Sequence, residues 1–214
     1  MVFKSNEKRE RRTEAFLATL REARQEWERL ASLPGTRVVW KWQAKNHYEL
    51  IANDTCMATV QLGLFGGVKT LSINVDEQRV DYECRRLWRR WQAGGASQLV
   101  EVTTGRPAFI STGTHMNHEA DGTIELPGHG TFEFPIQGTI PFNAVMSAVD
   151  ESGKSQLHYR ISDYKLAEKT RQRLNSIEVV IEPECQMPME TVLLLIAASS
   201  SWLRTYFGQT GSGA

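Results

Sequence analysis

Three regimes of hydrophobic and polar patterning divide the chain. Over residues 5 to about 32, Phe16, Leu20, Ala23, Trp27 and Leu30 recur at spacings of four, three, four and three, with Glu and Arg filling most other positions. That spacing puts the apolar residues on one face, so the segment is predicted to be a charged helix with a single apolar stripe. Leu33-Pro34-Gly35 stops it, because proline lacks the amide and cannot continue a helix. The stripe has two uses open to it: packing on the domain that follows, or pairing with another chain as a short coiled coil.

From Arg37 to Pro183 the period changes to two. Val38, Trp40, Trp42 and Ala44 alternate with Arg37, Val39, Lys41 and Gln43. The same alternation runs through Leu71, Ile73 and Val75, through Leu157, Tyr159 and Ile161, and through Ile177, Val179 and Ile181. Weaker runs lie near 48–53, 56–64, 79–91, 98–103, 107–111, 123–126 and 131–145. Turn signals separate them, among them Gly66-Gly67, Asp76-Glu77, Gly94-Gly95, Asp121-Gly122, Pro127-Gly128 and the stretch from Asp150 to Lys154. About ten or more short strands with no helix between them predict an antiparallel sandwich or barrel.

The third regime is a helix from Pro188 to Gly208 that is apolar on every side of its middle. Such a helix must be enclosed. Its charge-free run, Thr191 to Leu203, is 13 residues long, whereas a spanning helix needs about 20. The protein's own core is therefore the expected host. Ala197, Ala198, Ser199, Ser200 and Ser201 form a slim waist that lets neighbouring backbones approach, and helical serines can bond back to a carbonyl one turn earlier. Pro188 suits the first helical position, Glu190 the positive N-terminus, Arg204 the negative C-terminus, and Gly208 the left-handed cap. A barrel wide enough to hold a helix would otherwise have an empty lumen. The predicted fold is thus mainly β: a closed antiparallel barrel around a buried C-terminal helix, plus an N-terminal amphipathic helix. The predicted divisions are 1–34 for that first helix, 35–208 for the barrel, and 209–214 for a disordered tail.

The stretch from Ser176 to Pro183 followed by Met189 to Ala198 resembles the final strand and central helix of the tubby C-terminal-like superfamily. Tyr48-Glu49-Leu50, the run Gly63 to Gly67 and the run Leu71 to Val75 are similar to its early strands. That group, which includes tubby-like proteins, phospholipid scramblases and LURP-one-related proteins, threads one apolar C-terminal helix through a many-stranded barrel. The resemblance covers about residues 37–208 and implies the same plan here. Tubby-like members bind phosphoinositides through paired Lys and Arg on the barrel, but no residue of this chain is assigned to that pair. The proline-rich N-terminal region and cysteine cluster of scramblases are absent.

Composition adds bounds. The 214 residues carry 25 Lys plus Arg and 25 Asp plus Glu, so no global field selects nucleic acid or a membrane. Lys4, Lys8, Arg9, Arg11 and Arg12 are mixed with acids and followed by no apolar segment, which does not read as a signal peptide. Cys56, Cys84 and Cys185, odd in number and widely spaced, suit reduced thiols in the cytoplasm.

Candidate chemistry is sparse. His115 and His118 stand at an i, i+3 spacing that would need a helix, whereas their segment reads as glycine-rich turn, and no acidic or cysteine ligand completes a set with His129, so no metal is expected. Ser152-Gly153-Lys154-Ser155 resembles a phosphate loop, but Ala148 stands where its first glycine belongs, and a hairpin turn is expected instead. No nucleophile elbow or dinucleotide fingerprint occurs, so neither an enzyme nor a cofactor is predicted.

The local anomaly is Arg85, Arg86, Trp88, Arg89, Arg90 and Trp91, a basic-aromatic cluster on a strand. It could hold anionic phospholipid, with Arg on head groups and Trp at the interface, or stack bases of a nucleic acid, which its setting disfavours. Asp76, Glu77, Asp81 and Glu83 precede it and lower the local excess. About 1 kcal/mol per basic residue at an anionic surface amounts to roughly millimolar binding. The leading expectation is a binding or scaffold module that meets protein partners, or itself, through the first helix or the barrel surface. Its rivals are a peripheral membrane protein using the cluster and an enzyme with a loop-built site at one barrel end.

Overall fold

A computed structural model describes residues 3–44, 46–63, 68–86, 97–112, 123–138, 144–161 and 176–208. The chain opens with α1 (Phe3–Ser32). Strands β1 (Arg37–Ala44), β2 (His47–Ala52), β3 (Thr55–Leu62), β4 (Val68–Val75) and β5 (Gln78–Arg86) follow. Then come β6 (Ser97–Glu101), β7 (Pro107–Thr112), β8 (Thr123–Leu126), β9 (Gly130–Glu133) and β10 (Ile136–Gly138). β11 (Ala144–Asp150), β12 (Ser155–Ile161) and β13 (Ser176–Ile181) lead to α2 (Met189–Gly208).

Every pairing between these strands is antiparallel, and the sheet closes on itself. β9 pairs with Val149 and Asp150 of β11, while β10 pairs with Ala144 to Met146 of the same strand. The two are one stave, broken at Phe134-Pro135, where the Pro135 carbonyl accepts a bond from the Ser147 amide at 3.0 Å. The sequence run at 131–145 thus resolves into three strands, the first two parted at Pro135, because proline cannot supply a ladder amide. Twelve staves close the barrel, and closure removes the edges an open sheet would expose.

Alternation is why these residues form staves. Along β2, Tyr48, Leu50 and Ala52 are buried and the residues between them are half-buried; β1 buries Val38 and Trp40 in the same phase. Asn53-Asp54 and Asp76-Glu77 all have φ between 49° and 64°. Two successive left-handed residues make the hairpin turn whose twist matches the strands it joins.

α2 runs through the middle. Each residue from Thr191 to Ser200 is buried, and staves from all around the ring reach the helix. The indole N–H of Trp40 on β1 donates to Ser200 Oγ at 2.8 Å. The Tyr159 hydroxyl on β12 lies 2.9 Å from that of Ser199, and the Tyr82 hydroxyl on β5 donates to Glu190 at 2.5 Å. β3, β4, β7 and β8 pack on it as well. The serines of the waist bond back to the Ile196 carbonyl at 2.8 and 3.1 Å, as their spacing predicts. Burial pushes the Tyr159 hydroxyl above its ordinary titration range, and burial followed by Glu190 does the same to Tyr82. The Pro188 carbonyl accepts the first helical bond, from Val192 at 3.0 Å. Proline is therefore the cap just before the first turn rather than its first residue. No helix among the described residues is long and apolar enough to cross a membrane.

α1 lies outside, against β10, β11 and β12. Its second half is docked, with Ala23 and Leu30 fully buried, while residues 12–19, the described side chains ahead of it, are exposed.

Candidate functional site

The face beneath α1 is built by the outward phase of neighbouring staves. Alternation turns Met146, Leu157, Tyr159, Val179 and Ile181 into the core and leaves Val145 and Ser147, His158 and Arg160, and Glu178 and Val180 outside. Leu30, Val145 and Val180 form a small apolar cluster there, with Trp27 and Leu33 packed against it. Around this cluster the contacts are ionic. Arg37 is bonded to Glu178, and its other nitrogen lies 3.3, 2.7 and 3.2 Å from the carbonyl oxygens of Leu30, Ala31 and Leu33. One guanidinium thereby caps the end of α1, where carbonyls lack helical partners, and ties it to the barrel. Arg160 is bonded to the other oxygen of Glu178, and its guanidinium carbon stands 3.9 Å from the centre of the Trp27 ring.

A second chain of bonds runs parallel to the first. Ser147 Oγ lies 2.8 Å from His158 Nδ1, and His158 Nε2 lies 2.6 Å from Glu182 Oε1. Glu182 meets Arg29 of α1 at 3.3 Å, and Arg29 holds Glu26 through bonds of 2.7 and 2.8 Å. The hydrogen bond from Arg29 holds the Glu26 carboxyl below its ordinary range, and Glu26 keeps Arg29 more firmly protonated. Three glutamates and three arginines thus balance across the joint.

Hydroxyl, imidazole and carboxylate in sequence are the parts of an activated nucleophile. Here the hydroxyl is buried, and the Ser147 amide that could help an oxyanion is bonded to Pro135. The arrangement therefore orients His158 and passes the barrel's hold to α1. Sequence reading gave the polar phase of these strands but not the joint. His158 and Arg160 lie on β12, Glu178 on β13 and Glu182 just past its end, and nothing in residue order places them beneath α1.

At the barrel end where β13 hands over to α2 lies a cavity of about 370 Å³, walled by His129, Phe132, Lys154, Glu184 and Met187 among others. Its charges are answered locally. Lys154 pairs with Glu184 at 2.8 Å, which raises the lysine and lowers the carboxyl. Asp150 accepts from the amides of Ser152 and Lys154 at 2.9 and 3.0 Å and from the Ser152 hydroxyl at 2.6 Å. The hydroxyl is the main reason its carboxyl sits below the usual range. The phosphate-loop look-alike is therefore a hairpin turn organised by Asp150. His129 lies 3.3 Å from Thr191 Oγ1, and His115 and His118 lie outside the described residues. Among the described residues no three His, Cys, Asp or Glu side chains converge on a metal position.

Of the basic-aromatic cluster, Arg85 is on the outward phase of β5 and exposed, with Glu83 Oε1 3.9 Å from its Nε. Arg86 closes the strand. Its side chain, and Trp88, Arg89, Arg90 and Trp91, lie outside the described residues. No family model matches the chain, and neither a curated protein nor a solved structure matches it.

Proposed function

We propose that this chain is a non-enzymatic binding or scaffold module of tubby-like plan, working in the cytoplasm, and that α1 is the element it offers to a protein partner. The observation that carries the reading is the division of α1. Its second half is fixed by Leu30, Trp27 and the two ionic chains, while its first half holds Phe16 and Leu17 at 44% and 45% exposure. An apolar helical face held out on a rigid base is how helix-in-groove recognition presents its anchors. α2 fills the barrel axis, so a partner is left the outer surface and the ends. Twelve staves around an axial C-terminal helix support the tubby-like part of the reading, and three cysteines outside any disulfide support a reducing compartment.

The test is photo-crosslinking in cells from position 17 of the full chain, with position 76 on the β4–β5 turn as control. Discrete adducts from position 17 that disappear with Leu20→Asp are expected. Equal labelling from both positions, or none from position 17, would overturn the reading.

A further inference from the structure

We infer that the free half of α1 pairs antiparallel with the same segment of a second copy, about a two-fold axis level with Ala18. The inference deepens the proposed partner-binding reading and uses the same face. Phe16, Leu17 and Val102 are the exposed large hydrophobic residues among those described, and two of the three sit side by side here. The stripe on which Phe16 lies is continuous with an interface already formed. Leu30 and Trp27 dock on the chain's own barrel, Ala23 is fully buried one turn before them, and the next positions along the stripe are the half-buried Leu20 and the exposed Phe16.

That continuity decides the direction. In a parallel pair the two barrels, each held on its own stripe, would contend for the same space. An antiparallel crossing sends them to opposite ends. Within it, apolar matching sets the register: Phe16 faces Leu20 of the second copy, and the reverse contact follows from the two-fold axis. A shift of one heptad either way would set Phe16 against Thr13, or against Trp27, which the barrel already holds. The flanking positions agree with this register. Leu17 meets Leu17 on one side, and on the other Arg12 meets Glu26, which is bonded to Arg29 and still 25% exposed. The seam is small beside the roughly 800 Å² per partner of a standard interface, so the dimer is reversible and forms at high concentration.

Sedimentation equilibrium of the full chain from micromolar to millimolar concentration tests this. A monomer–dimer equilibrium is expected, and Leu17→Asp, at an exposed site that folding does not require, should raise the dissociation constant about tenfold or more. Oxidation of a mixture of Phe16→Cys and Leu20→Cys chains should link the two variants to each other faster than either to itself, with the parent chain as background. A dimer insensitive to Leu17→Asp, or each variant linking mainly to itself, overturns the inference. So does a monomer at millimolar concentration; if position 17 still yields adducts with another protein in cells, only the self-pairing fails and the partner-binding reading stands.

Discussion

Arg160 sits over Trp27, its guanidinium carbon 3.9 Å from the ring centre, and this contact joins the barrel wall to the helix outside it. Neither Arg160 Nε nor the Trp27 indole nitrogen has a hydrogen-bond partner among the described residues. The pair is held by ring and charge, with Glu178 anchoring the far side of the guanidinium. A double-mutant cycle with Trp27→Ala and Arg160→Met, read by urea denaturation, should give a coupling of about 0.5–2 kcal/mol. Additive effects would mean that the stacking contributes nothing.

Inside the barrel, Trp40 and Ser200 are bonded although 160 positions apart. Ser200→Ala leaves the buried indole N–H without its acceptor, and the expected loss is about 1–3 kcal/mol. Trp40→Phe added to Ser200→Ala should lose less than the two singles together, because no orphan donor is then left. The shift in urea midpoint at constant slope measures both.

α2 is required for folding. Leu193, Leu195 and Ile196 are fully buried, and each contributes roughly 1.5–3 kcal/mol. Their sum rivals the net stability of a typical domain, about 5–15 kcal/mol. A chain ending at Glu184 should therefore be insoluble or unfolded; sharp, dispersed NMR peaks from it would contradict the axial role of the helix.

α1 stabilises the barrel without being needed to close it. All twelve staves lie beyond Pro34, whereas removing residues 1–33 uncovers Val145 and Val180 and strips Glu182 and Arg37 of their helical partners. Cooperative unfolding with a lower thermal midpoint is expected, and complete loss of folded protein would show that the helix is an integral layer of the core.

The joint also carries an acid dependence. Arg29 depresses the folded-state titration of Glu26, so its contribution is fully present above the ordinary glutamate value of about 4.3. It is lost as pH falls through the lower folded value. Stability measured from pH 6 down to pH 3 should therefore decline less steeply in Glu26→Gln than in the parent. Parallel curves would show that the Arg29 pair adds no pH dependence.

Much of this architecture could be read from residue order. Period-two alternation gave β1, β12 and β13 nearly to their ends and β4 from Leu71 onward, because facing in or out is a property of the extended backbone itself. The all-round apolarity and length of Thr191 to Leu203 placed α2 inside protein rather than lipid. The stripe of α1 was equally visible, but its fate was not: packing on the barrel and pairing with a second chain need the same residues at the same spacing, and the structure shows docking for one half and exposure for the other.

That the barrel closes was predicted, but which strands meet at its seam, and the joint beneath α1, lay beyond the sequence for one physical reason. The β9–β11 pairing depends on twist accumulated over all the staves, and no local signal near Phe132 or Asp150 announces it. Arg37 finds Glu178 across 141 positions, and His158 finds Glu182 only because β12 and β13 are neighbours with their outward phases aligned. Sequence by itself determined which residues turn inward and that a helix had to be enclosed, since backbone period and hydrophobicity are local quantities. Tertiary structure alone decided which polar residues met on the outside, since a hydrogen bond is fixed by ångström distances between atoms that the chain order keeps far apart.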